Sequence, residues 1–183
     1  MEMPVFTIRG KNHRERGVDY GVQCKELIQG VLERYIRFFN GGHTAVSWDE
    51  AKVISKEFLP FIHSYSPELL DELEGIAQGA DVEFDDLLTL NSRSEAMTLV
   101  RRPPSDKEEL DGCSSVAVLP DASANGHTIL AQNWDTYTWQ EYGTVILQIL
   151  RDDGPDLMIV TEAGQLARYG MNCPGSQQSA KNI

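Results

Sequence analysis

The chain divides at Asp111-Gly112-Cys113-Ser114-Ser115-Val116-Ala117-Val118-Leu119-Pro120, a polar turn, and Thr128-Ile129-Leu130-Ala131-Gln132-Asn133-Trp134-Asp135. Before this stretch, apolar residues recur at helical spacing. After it come short apolar runs separated by turn residues, which read as strands. Residues 115–119 and 128–131 are the first such pair, and residues 120–126 between them are turn material. The second run ends in an amide, an indole and a carboxylate, groups that need partners when buried. Cys113 stands at the boundary behind a glycine. A free cysteine is often no more than a small buried hydrophobe, and the tripeptide Asp111-Gly112-Cys113 alone points no further.

Toward the N-terminus, Val5-Phe6-Thr7-Ile8 reads as a short strand closed by Arg9-Gly10. Ile28, Val31, Leu32 and Tyr35 fall on one face of a helix that Gly41-Gly42 stops. Ser47-Trp48-Asp49-Glu50 has the Ser-x-x-Glu form of a capping box, so a second helix is expected there, with Ala51, Ile54, Phe58 and Ile62 inward. Ser66-Pro67-Glu68 supplies a cap, a proline for the first helical position and an acid for the helix dipole. The third helix then carries Leu69, Leu70, Leu73, Ile76 and Ala77 to near Gly79, and residues 85–97 read as a fourth. His13, His43, His63 and His127 show no paired spacing and read as solvated or structural.

Residues 100–110 include Arg101-Arg102-Pro103-Pro104-Ser105-Asp106-Lys107-Glu108-Glu109. A segment so charged and proline-broken cannot bury a core, reads as an exposed linker, and is the natural place for a cut. Toward the C-terminus, residues 145–150 and 157–160 read as further strands around a turn at 151–155. Strands joined by such short turns are antiparallel neighbours. The expected fold class is therefore α+β, helices first and an antiparallel sheet second. The expected organisation is a helical region 1–112, a sheet region 113–172, and a polar, disordered tail 173–183.

The chain has 183 residues, 41% hydrophobic and 24% charged, which suits a globular protein with a real core. A formal charge of -12 argues against a nucleic-acid or anionic-membrane surface as partner. No apolar run has the length of a membrane-spanning helix. Met1-Glu2-Met3-Pro4 lacks the basic start of a signal peptide, and the end matches no peroxisomal address. Three widely spaced cysteines form neither a disulfide framework nor a zinc pattern, so a reducing, cytoplasmic location without a metal is expected.

The two halves of the dividing stretch, Asp-Gly-Cys-Ser-Ser and Gln-Asn-Trp-Asp, resemble the acyl-coenzyme A:6-aminopenicillanic acid acyltransferase family. Glu74-Gly75-Ile76-Ala77, Leu90-Asn91-Ser92-Arg93-Ser94-Glu95, Thr161-Glu162-Ala163-Gly164 and Gly170-Met171-Asn172 follow the same family pattern, in the same order. That family belongs to the N-terminal-nucleophile hydrolases, which cut their own precursor before the catalytic residue. The resemblance implies the first half of an αββα sandwich, cleavage between Gly112 and Cys113, and a Cys113 nucleophile. It implies an amide, β-lactam or acyl-coenzyme A substrate, with coenzyme A as part of a co-substrate and no resident cofactor. It also places Arg93 and Glu95 in a segment that family members pack near the substrate pocket. Read alone, these two are surface charges on a helix, and residues two apart do not face each other.

A catalytic cysteine works as the thiolate and needs a base. No histidine is recognisably placed to serve. Once the bond before Cys113 is cut, its α-amine, titrating near pH 8, becomes that base. Gly112 permits unusual backbone angles while the thiol reaches the preceding carbonyl. Asp135 would hold the new amine, or else cap the turn after its strand. Ser115 lies on the nucleophile's side of its strand and would donate a hydrogen bond during the cut, or is an ordinary strand serine. Asn133 shares a face with Asp135 and is its support.

Two further readings compete: a truncated, catalytically deficient member or interaction module, and a cysteine hydrolase with a separate histidine. Family members continue well beyond the position matching Asn172. The chain by itself is therefore expected to be a poor enzyme, with a sheet exposed enough for self-association.

Overall fold

A computed structural model describes residues 3–99 and 113–173. The expected linker and Gly112 therefore lie outside the described residues, as does all of the expected tail beyond Cys173. The described residues form two compact units, residues 3–99 with 139–173 and residues 113–138. No helix among them is long and apolar enough to cross a membrane.

The larger unit is α+β. It begins with β1 (Val5–Ile8), followed by six helices: α1 (His13–Gln23), α2 (Lys25–Phe38), α3 (Trp48–Lys56), α4 (Leu59–Tyr65), α5 (Pro67–Ala80) and α6 (Phe84–Leu99). Three strands complete it, β4 (Thr144–Ile149), β5 (Asp156–Glu162) and β6 (Tyr169–Cys173). The smaller unit is built on β2 (Ser114–Val118) and β3 (Ile129–Asn133).

Local chemistry accounts for most helix ends. Asn12 accepts the Glu15 backbone N–H at 2.8 Å and starts α1. The capping box of α3 forms in full, with Ser47 N–H donating to Glu50 at 2.8 Å and Glu50 N–H to the Ser47 hydroxyl at 3.3 Å. Those bonds from Ser47 hold the Glu50 carboxyl below its ordinary range. The expected long second helix is instead α3 and α4. Pro60 has no N–H for the Lys56 carbonyl, so the ladder breaks, and Glu57 and Phe58 close with tighter bonds to Ile54 and Ser55. Pro67 takes the first position of α5 as expected, but the Ser66 hydroxyl bonds Glu68 at 2.9 Å and no cap forms through its side chain.

Helices α1 and α5 cross at four glycines, Gly17 and Gly21 against Gly75 and Gly79. A Cβ on any of them would lie closer than 3.0 Å to backbone of the other helix. Backbones this near exclude side chains between them, which is why the small residues repeat four apart.

The sheet of the larger unit has the order β1-β4-β5-β6. The β4–β5 and β5–β6 pairs are antiparallel, as short turns require, but β1 runs parallel to β4 with Val5 opposite Ile146. The sheet is thus mixed, not purely antiparallel. Many helices separate β1 from β4, so no tight turn dictates their direction. β6 is a strand that Tyr169-Gly170-Met171-Asn172-Cys173 does not announce, because it lacks alternation. Val145, Leu147 and Ile149 point inward from β4 and are buried with Ile159, Ile28, Leu87, Leu90 and Ile76 in one core. β2 and β3 form the expected antiparallel hairpin, a two-stranded sheet of its own, with Val116 opposite Ala131.

Candidate active site

Cys113 is the residue immediately before β2, and its thiol is free and exposed. The hairpin register pairs Ser114 with Asn133 and Ser115 with Gln132, which brings Cys113 and the Trp134-Asp135 segment to the same end of the ribbon. By alternation Ser115 shares the Cys113 face, and Asn133 shares the opposite face with its partner Ser114. Asn133 donates from its amide to an Asp135 carboxylate oxygen at 2.8 Å. Cys113 and the Asn133–Asp135 pair are thus at the same end of the hairpin, with Cys113 and Asn133 on opposite faces of the ribbon.

Arg93 and Glu95 have different surroundings, both in the larger unit. Glu95 is exposed. Arg93 is buried and turned into the protein, where it donates to the Leu90 carbonyl at 2.7 Å and to Glu162 at 2.9 Å. Its guanidinium also lies 4.8 Å from the centre of the Tyr35 ring.

Glu162 is the centre of a polar cluster that the sequence did not single out as a site. The Tyr35 hydroxyl donates to its carboxylate at 2.9 Å and accepts from the Gln140 amide. Gln165 donates to it at 2.7 Å and Arg168 at 3.4 Å. The following turn is clamped as well. Tyr20 OH accepts the Gly164 N–H at 2.8 Å, and Asn91 donates to the Gly164 carbonyl at 2.9 Å. Gly164 has φ +93°, and Leu90 and Leu87 crowd the place of a side chain, so only glycine fits. Burial pushes the Tyr35 and Tyr20 hydroxyls above their ordinary range, for Tyr35 against the pull of Arg93. Both are therefore neutral donors at physiological pH. Burial likewise pushes the Cys24 thiol up to about 12, leaving it an inert core group. The sequence signal for the cluster was a glutamate closing an apolar strand, Leu157-Met158-Ile159-Val160-Thr161-Glu162, where a charge needs a buried partner.

The comparisons with known proteins agree on one class, enzymes that transfer or hydrolyse acyl groups. The chain is 30% identical over 162 residues to the 40 kDa form of acyl-coenzyme A:6-aminopenicillanic-acid-acyltransferase of Emericella nidulans, covering 86% of this chain and 42% of that protein. It is 28% identical over 186 aligned positions to a beta-alanyl-dopamine/carcinine hydrolase of Drosophila melanogaster, covering 93% of this chain and 45% of that protein. No family model matches the chain. The chain belongs to the acyl-coenzyme A:6-aminopenicillanic-acid-acyltransferase family. It spans less than half the length of these curated relatives.

Proposed function

We propose that the chain is a self-processing cysteine acyltransferase or amide hydrolase whose nucleophile is Cys113. The observation that carries this is the hairpin end, where the exposed Cys113 thiol and the Asn133–Asp135 pair lie at the same end of the ribbon. The two relatives, one named an acyltransferase and one a hydrolase of beta-alanyl-dopamine and carcinine, support the reaction class.

In the cutting step the Cys113 sulfur attacks the Gly112 carbonyl. A C–S bond forms, the C–N bond breaks, and the thiol proton passes to the nitrogen, which becomes a free α-amine. Water then hydrolyses the thioester, releasing the Gly112 carboxylate and restoring the thiol. In turnover the amine takes the thiol proton, the sulfur accepts the acyl group of an amide or acyl-coenzyme A, and the amine or thiol of the substrate leaves protonated. Water or an acceptor amine then attacks the acyl-enzyme. Asp135 orients the α-amine, and Ser115 hydrogen-bonds the group under attack in the cut.

Mass spectrometry of the purified chain tests the reading. Two fragments are expected, the second beginning Cys-Ser-Ser-Val, and Cys113→Ala should stay whole. A Cys113→Ala chain still cut at that bond would remove the thiol from the mechanism. A wild-type chain that stays whole would favour the second reading, a catalytically deficient member or interaction module.

A further inference from the structure

We propose that Gln132, on the strand paired with the nucleophile's own, is the hydrogen-bond donor to the Cys113 sulfur. The proposal rests on the reading of Cys113 as the nucleophile and adds the group that holds its sulfur as an anion.

The hairpin register makes the assignment. Ser115 and Gln132 stand directly opposite each other. Residues paired in this way share a face of the ribbon, and residues two apart along a strand share it too. Cys113, Ser115 and Gln132 are therefore on one face, and Ser114 and Asn133 on the other. The two neighbouring amides thus divide their work. Asn133 donates to Asp135 at 2.8 Å, and Gln132 falls to the side of the sulfur. Cys113 precedes Ser115 by two residues, which makes it a diagonal neighbour of Gln132. Diagonal neighbours across an antiparallel pair lie about 7–8 Å apart, within the reach of a long side chain such as glutamine.

The chemistry suits the place. A side-chain amide is uncharged, and its N–H₂ group only donates. A sulfur that has shed its proton accepts such a bond, and a bond to a charged partner is stronger than one to a neutral partner. The donor therefore favours the attacking anion over the thiol. A carboxylate in the same position would disfavour it by repulsion, and the Asp135 carboxylate is bonded instead to Asn133, the residue on the other face. The α-amine forms only as the cut is completed, so in that step the sulfur relies on the donors of its own face. Ser115 then serves the group under attack, and Gln132 serves the attacking atom.

Alkylation of Cys113 by iodoacetamide, followed on its own peptide by mass spectrometry, tests this in the whole chain and in the cut chain separately. Gln132→Leu nearly keeps the size of the side chain but removes the donor, and should slow the reaction roughly 10-fold or more. Gln132→Lys restores a donor and should return the rate to the wild-type value or above. Ser114→Ala, next to Cys113 but on the other face, should change nothing. A leucine variant as fast as wild type overturns the proposal. So does a lysine variant as slow as the leucine variant, because shape and not donation would then set the rate. If a variant fails to fold, the side-chain amide resonances of Gln132 in the wild type decide the matter. They should move when Cys113 is alkylated, and resonances that stay in place overturn the proposal. A chain that never cuts itself, yet shows the leucine and lysine differences, removes the self-processing reading and leaves the donor standing. A Gln132→Leu chain alkylated and cut at wild-type rates removes the donor and leaves that reading.

Discussion

Asp135 and Arg93 show how differently two polar residues of one chain can be placed. Asp135 is held by a neighbour two residues away, through the 2.8 Å bond from Asn133, at the end of a hairpin that also carries the candidate nucleophile. Its proposed work is local, and so is its test. Asp135→Asn should leave the circular dichroism unchanged and slow alkylation of the processed Cys113 by roughly 10- to 100-fold, since hydrogen bonds to charged groups contribute about 1.5–3 kcal/mol. Equal alkylation rates would reduce the carboxylate to a partner for Asn133. Arg93 lies in a segment that the family resemblance assigned to the substrate pocket, yet its guanidinium is occupied by Glu162, the Leu90 carbonyl and the Tyr35 ring. Its hydrogen bonds reach the protein's own groups.

At the scale of elements, the crossing of α1 and α5 is the feature most sensitive to a single atom. Gly75 faces the Arg14 carbonyl and the Cα of Gly17, so a methyl group there has only backbone to displace. Gly75→Ala gains helix propensity, roughly 1 kcal/mol, but forces two helices apart. Overpacking costs about 1–3 kcal/mol and more when backbone must move, so the net effect is destabilising. A fall in thermal midpoint is expected, about 2–4 °C per kcal/mol for a chain of this size. A midpoint that rises would mean that propensity wins and that the helices are not pressed together as described.

At the scale of the larger unit, the Glu162 cluster joins α2, α6, β5 and the turn after it around one carboxylate. Arg93 and Glu162 side chains are only 7% and 1% exposed. Removing Glu162 strands the Arg93 charge, and removing Arg93 leaves Glu162 only the longer 3.4 Å pair with Arg168; breaking such a buried pair costs about 3–5 kcal/mol. Glu162→Gln and Arg93→Met should therefore each lower stability strongly. The double variant, with no stranded charge, should lose much less than the sum of the two. Denaturant titration of all four chains measures that coupling, and strict additivity would mean that the pair contributes nothing as a pair.

What the sequence determined was whatever depends on near neighbours. The capping box of α3, the proline start of α5, the β2–β3 hairpin and the antiparallel β4–β5 pair were legible because their partners lie within a few residues or across one turn. The Cys113 and Asp135 ends of the hairpin were legible for the same reason, once strand and turn were read. Only the tertiary structure decided the parallel pairing of β1 with β4, the glycine contact between α1 and α5, and the gathering of Tyr35, Arg93, Gln140 and Glu162. Each joins residues far apart in the chain, and periodicity tells which face of an element is apolar without telling what it meets. Burial then settles the chemistry: an arginine that reads as surface charge on an isolated helix becomes, once a strand end brings a carboxylate beside it, half of a buried ion pair.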